Sequence, residues 1–128
     1  MRRRSVCGVA RQGQTYLIAQ RKLGGSQGGK WEFPGGKLEE GEDPPQALKR
    51  EFEEELSVAI EVLNLIGMTT FQNGDNHYQL EAWEIELHSQ NFILHEHQAV
   101  HWAELSSLLE MDLSDSDRKI ALLLSKNL

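Results

Sequence analysis

Four of the five residues from Glu51 to Glu55 are glutamates: Glu51, Glu53, Glu54 and Glu55. On a helix, 100° per residue puts Glu51, Glu54 and Glu55 on one arc about 100° wide. Leu48, Phe52 and Leu56 take the adjacent arc, and Glu53 points away from both. Three carboxylates then line the border between a core-facing stripe and solvent. Like charges about 5 Å apart repel by roughly 3 kcal/mol at an effective dielectric near 20, so the cluster needs a cation. Arg50 reaches Glu54 from one turn away. A hard divalent ion such as Mg²⁺ answers better, because it takes carboxylate and phosphate oxygens. On the helix alone, a solvated acidic face explains the charge run equally well. The preceding loop tips the balance towards chemistry. Gly35-Gly36-Lys37 supplies flexible backbone and a cation, as a phosphate-binding turn would. Glu42 stands just ahead of the helix.

The helix that must carry these residues is clearly punctuated. Asp43 is a good N-cap, Pro44 follows at the first helical position, and Gln46 completes a variant of the capping box. Ala47 to Leu56 are strong helix formers. Around this helix the pattern predicts strands. Ser5–Ala10 and Tyr16–Arg21 form a hairpin across Arg11-Gln12-Gly13-Gln14. Gly24 to Gly29 is a flexible loop. Trp31-Glu32-Phe33 is a short strand that Pro34-Gly35-Gly36 breaks. Ala59–Met68, His77–Leu87 and Ala99–Trp102 are further strands. The alternation in His77–Leu87 slips at Ala82-Trp83, as a bulge or a central strand covered on both faces would produce. A short helix spans Glu104–Glu110. Ser114 or Asp115 caps a final helix with Ile120, Leu123 and Leu124 on its apolar side. The order predicts a mixed sheet with helices on both faces, in one domain over residues 1–128.

Bulk properties exclude several classes. Hydrophobic residues make up 39% of the chain, enough for an ordinary core. The net charge of -7 argues against binding a nucleic-acid polymer, which relies on a basic surface. The run Arg2 to Arg4 reads as a solvated chain end. Cys7 is the single cysteine, so no intramolecular disulfide forms, and its apolar surroundings suggest a buried thiol. The apolar run Val6–Ala10 is too short for a signal peptide, and no stretch is long enough for a membrane helix. A cytoplasmic monomer or homodimer is expected.

The stretch Gly36 to Val58 resembles the Nudix signature: G, five residues, E, seven residues, then R-E-U-x-E-E-x-G-U with U apolar. Here it reads Gly36, Glu42, Arg50, Glu51, Phe52, Glu54, Glu55 and Val58. Six of these are exact glycine or charged matches, and six such matches arise by chance with odds on the order of 10⁻⁶ at average residue usage. Trp31 to Lys37 looks like the segment that leads into the signature in MutT-type members. Ser57 replaces the signature glycine. It should cost about 1 kcal/mol where a left-handed residue ends the helix, and it removes no ligand.

The resemblance implies an α/β/α sandwich that hydrolyses nucleoside diphosphates linked to another moiety, with Mg²⁺ as cofactor and Mn²⁺ able to replace it. Glu54 and Glu55 match the main metal ligands. Glu51 matches a residue that binds metal or orients the base, and Arg50 the arginine that positions the glutamates. Glu42 is a supporting carboxylate, the Gly36 carbonyl a further ligand and Lys37 a phosphate contact. Glu96, in His95-Glu96-His97-Gln98, matches a distant glutamate that serves as ligand or general base, so the base is Glu51 or Glu96. His95 and His97 hint at a transition-metal site, but magnesium chemistry fits the carboxylates better, and both otherwise read as plain loop residues. Arg21 matches a nucleotide contact, and Phe33 lies where the base pocket begins. Asp117 falls near a base-reading asparagine, though an ionised aspartate only accepts hydrogen bonds. Trp83 and Trp102 read as core. The implied substrate is a nucleoside triphosphate, cut to monophosphate and pyrophosphate, with 8-oxo-dGTP as the first expectation, in nucleotide-pool sanitation. CTP or a modified dCTP is the alternative. A non-catalytic nucleotide sensor is opposed by the intact Arg50, Glu51, Glu54 and Glu55.

Overall fold

The computed structural model describes residues 3–126. The elements run β1 (Arg3–Gln12), β2 (Thr15–Arg21), β3 (Trp31–Glu32), β4 (Gly35–Lys37), α1 (Pro44–Leu56), β5 (Ile60–Asn73), β6 (Asn76–Leu87), β7 (His97–Glu104), α2 (Leu105–Glu110) and α3 (Asp115–Lys126). The sheet is mixed. Its main path is β3-β2-β1-β6-β5, with β4 added to β1 and β7 to β2. β1 and β6 run parallel, from Arg3 opposite Tyr78 to Ala10 opposite Ile85. One core lies under α1 and the other under α2 and α3, which gives the expected α/β/α sandwich.

Ser5 to Ala10 in β1 are all buried, as a strand covered on both faces requires. Val6 and Ala10 pack with Leu48, Phe52 and Leu56 of α1. Cys7 and Val9 pack with Leu108, Ile120 and Leu124 on the other side. Gly8 admits α1 this closely, because a Cβ there would lie 2.6 Å from the Phe52 ring. Cys7 is buried as expected, and burial holds its thiol pKa well above the usual value.

β1 and β2 pair only near their turn, at Arg11–Tyr16 and Gln12–Thr15. Residues 31–37 fill the fork beyond it. Trp31 and Glu32 pair with β2, and Gly35 to Lys37 with β1. The strand of Trp31 and Glu32 ends before Pro34, as expected, but Gly35 and Gly36 open a new strand instead of a turn. Pro34 sits at the crossing, where its carbonyl accepts from the Gly8 amide at 2.9 Å and no N–H is needed. The expected phosphate-binding turn is thus partly a strand, β4, and it lies beside α1.

The slip at Ala82-Trp83 has its cause in the neighbouring strand. β6 keeps an unbroken ladder with β1. β5 carries the irregularities, from Val62 to Leu65 and from Leu65 to Gly67, opposite Trp83. β6 is the central strand, with Tyr78, Leu80, Glu81, Ala82 and Ile85 all buried. Buried Glu81 is balanced by Arg4, whose Nε and Nη2 donate to Oε2 at 3.0 and 2.6 Å. Arg4 is therefore a paired strand residue rather than part of a solvated end; Arg2 lies outside the described residues.

α1 begins as its punctuation predicts. The Gln46 amide donates to Asp43 Oδ1, and the Asp43 amide to Gln46 Oε1, both at 2.9 Å. It ends at Ser57, at φ 55° and ψ 40°. Among the described residues, no helix is long and apolar enough to cross a membrane.

Candidate active site

The second half of α1 supplies the carboxylates, and Arg50 organises them. Its Nε and Nη2 donate to the two oxygens of Glu42 at 2.7 and 2.8 Å. Nη1 donates to Glu51 at 2.9 Å and to Glu54 at 3.3 Å. Nη2 also reaches the Lys37 carbonyl at 3.1 Å, which ties α1 to β4. Only a planar guanidinium has donors in the right directions for all of these. Gly36 lies beneath Glu51. A Cβ there would be 2.5 Å from Glu51 Oε1, so glycine is what lets this carboxylate lie across β4.

Glu55 faces inward from α1 and is buried. Burial is the main cause that pushes its carboxyl well above the usual range, with the Glu51 carboxyl beside it and the charges of Glu32 and Glu96 adding to the shift. Its Oε2 has no hydrogen-bond partner among the described residues. Opposite it stands His97, buried at the start of β7. His97 Nε2 is 2.9 Å from Glu32 Oε2 and 3.7 Å from Glu55 Oε1. Glu32 also receives Arg21 Nη1 at 3.1 Å. Strand register brings this group together, because β2 places Ala19 beside Glu32 and Arg21 beside His97.

These side chains line one open cleft of about 420 Å³. Glu51, Glu54, Glu55 and Glu96 form its acidic wall, while Arg21 and Lys22 stand at its rim with Glu32 and His97. The structure thus gathers five of the sequence-derived candidates: Arg21, Glu51, Glu54, Glu55 and Glu96. Arg50 braces them from behind, and Gly36 lies under Glu51. Glu32 and His97 were missed as site residues. Glu32 had read as an alternating strand position; His97 had been weighed with His95 as a transition-metal ligand and set aside for magnesium chemistry, which left it as loop.

The remaining candidates lie elsewhere. The Lys37 ammonium sits 5.1 Å from the centre of the Tyr78 ring and outside the cleft lining. Phe33 is a core residue. Its amide donates at 2.9 Å to Asp117, which is also buried and accepts a short hydrogen bond from Ser114. Burial pushes the Asp117 carboxyl up to about 7, against the pull of the Ser114 and Phe33 hydrogen bonds. Trp83 and Trp102 pack partly buried against the α1 core, as expected.

The donor set fits a divalent cation. Four glutamates line one cleft, one of them buried with an unpartnered oxygen, and Arg50 alone does not balance them. Glu32, Glu55 and His97 also offer ligand atoms within 4.8 Å of one another. Such a site binds hard cations through oxygen and leaves room for phosphate.

Known proteins resemble this chain in sequence and in fold. Residues 1–124 match the NUDIX domain family model. The chain is 34% identical over 109 residues to the CTP pyrophosphohydrolase of Escherichia coli K12, covering 85% of this chain and 80% of that protein. It is 33% identical over 116 residues to the putative 8-oxo-dGTP diphosphatase 2 of Mycobacterium tuberculosis, covering 88% and 81%. The solution structure of the E. coli ORF135 protein superposes with a TM-score of 0.89 at 30% identity, covering 98% of this chain and 91% of that one. The MutT protein of Methanosarcina mazei Go1 shares the fold at a TM-score of 0.85 and 22% identity, covering 97% and 94%. The sequence signature, the sandwich and the glutamate cleft therefore agree, and the chain belongs to the Nudix hydrolase family.

Proposed function

We propose that the protein is a Mg²⁺-dependent nucleoside triphosphate pyrophosphohydrolase that acts on 8-oxo-dGTP and releases the monophosphate and pyrophosphate. The observation that carries this reading is the cleft itself, with Glu51, Glu54, Glu55 and Glu96 on one wall and Arg21 and Lys22 at the rim. A phosphate chain bound in this cleft would meet both cationic side chains and metal-binding oxygens.

Glu51, Glu54 and Glu55, with the Gly36 carbonyl, would hold the metal. Bound there, a divalent cation offsets phosphate charge and makes a water more acidic. Arg50 fixes Glu51 and Glu54, so their orientation is set before substrate arrives. Glu51 already accepts a hydrogen bond from Arg50. Glu96 is exposed on its loop, and no hydrogen bond to its side chain is seen among the described residues. Glu96 therefore takes the proton of the attacking water. The water oxygen forms a new bond to one anhydride phosphorus, the bond from that phosphorus to the bridging oxygen breaks, the leaving phosphate group keeps the bridging oxygen, and no atom changes oxidation state.

The purine preference draws on relatives named 8-oxo-dGTP diphosphatase, including one from Proteus vulgaris at 43% identity over 76 residues. A second reading, CTP or a modified dCTP, is favoured by the length of the match to the E. coli CTP pyrophosphohydrolase. Ranking kcat/KM for dNTPs, NTPs, 8-oxo-dGTP, 5-methyl-dCTP and ADP-ribose decides between them. A lead for 8-oxo-dGTP supports the first reading and a lead for cytosine nucleotides the second. No turnover of any triphosphate contradicts both.

A further inference from the structure

Ser57 stands where the signature has glycine. Among the described residues it is the only non-glycine with a positive φ. Such a backbone favours glycine, so the serine needs a reason. Its hydroxyl lies 2.7 Å from Nε2 of His95. His95 is gripped at two further points: its amide donates to the Glu55 carbonyl at 3.0 Å, and its carbonyl accepts from Lys22 Nζ at 3.3 Å. Two residues earlier, the Ile93 amide donates to the Leu56 carbonyl at 3.0 Å. The loop before β7 thus satisfies the last carbonyls of α1, which helix geometry leaves unpaired. The next residue along this loop is Glu96, on the acidic wall of the cleft.

We infer that Ser57 is a positioning residue which, through His95, fixes the Glu96 loop against the end of the metal-binding helix. A glycine would relax the turn but leave the imidazole without its partner. The substitution exchanges backbone ease for a tether between two parts of the site that are 38 residues apart. The inference rests on the role given to Glu96 above.

The test compares Ser57→Ala, Ser57→Gly, His95→Ala and the Ser57→Ala/His95→Ala pair in the full chain with Mg²⁺. Either alanine variant should lower kcat by roughly threefold to tenfold, the scale of one hydrogen bond, and leave KM nearly unchanged. The pair should fall no further than either single change. Ser57→Gly should melt higher than Ser57→Ala yet keep its low kcat, a split that a purely structural role would not give. Amide exchange at residues 94–97 should speed up in all four. Parental kcat in Ser57→Gly, additive losses in the pair, or unchanged exchange would each overturn the tether. If the parent turns over no nucleotide, the proposed activity fails, while the exchange comparison still decides the tether.

Discussion

Arg50 and Glu42 meet as a two-pronged pair, Nε to Oε2 at 2.7 Å and Nη2 to Oε1 at 2.8 Å. The guanidinium holds the Glu42 carboxyl down to about 2, with help from the Glu39 amide. Because this pKa is depressed, the pair's contribution is present above the ordinary value of 4.5 and is lost as pH falls towards 2. Glu42 thereby fixes Arg50, and Arg50 fixes Glu51 and Glu54. Arg50→Lys keeps the charge but not the planar fork. It should lower kcat by about 100-fold while the fold survives. Steady-state kinetics beside circular dichroism would check this, and near-parental kcat would contradict it.

Glu55 combines burial, an unpartnered oxygen and three acidic neighbours. Glu55→Gln removes the repulsion and keeps the shape. In EDTA the variant should melt higher than the parent. Mg²⁺ should raise the parent's melting temperature and leave the variant's almost unmoved, since binding stabilises only the state that binds. Activity should fall by several orders of magnitude. Thermal scans with and without metal read all but the last. A variant that melts lower in EDTA would contradict the assignment.

Asp117, outside the cleft lining, offers a separate pH test. Its folded pKa of about 7 lies above the ordinary 3.8, so the folded protein holds this proton more tightly than the unfolded chain. Its contribution is then full below about 3.8 and is lost as pH rises to about 7. Asp117→Asn can still accept from the Phe33 amide, and its NH₂ can donate to Ser114. The variant should melt on the order of 5 °C higher at pH 7.5 and show a flatter profile between pH 4.5 and 7. Calorimetry across that range would show it. A lower melting temperature at pH 7.5 would mean that the charge itself is stabilising.

His97 joins the metal side of the cleft to the rim, through Glu55 and Glu32. His97→Ala leaves Glu32 with Arg21 alone and opens space beside Glu55. It should lower kcat/KM by roughly tenfold to 100-fold, more than a surface histidine would. His97→Gln, which keeps a donor at similar reach, should recover part of that loss. Equal kcat/KM in all three proteins would make His97 a packing residue.

The helix of the site was legible because its information is local. Asp43, Pro44 and Gln46 mark its start, Leu48, Phe52 and Leu56 its buried side, and the glutamate spacing its chemistry. The layers followed from alternation and from the continuous burial of β1. What was not legible depends on pairing between distant strands. Glu32 and His97 are 65 residues apart and meet only because both flank β2. Gly35 to Lys37 read as a turn because its glycines have no strand propensity; the fork between β1 and β2 makes it a strand. Phe33 and Asp117 pair through a backbone amide, a contact that side-chain types do not announce.

Pyrophosphate release from a nucleoside triphosphate by the parent and by Glu54→Gln, with Mg²⁺ present, bears most directly on the cleft. Glu54 is exposed and contributes little packing, so the variant should fold normally. The expected result is Mg²⁺-dependent turnover by the parent and a fall of at least about 100-fold in kcat for the variant. Near-parental turnover in Glu54→Gln, or turnover by the parent in EDTA, would contradict a metal held by this wall of glutamates.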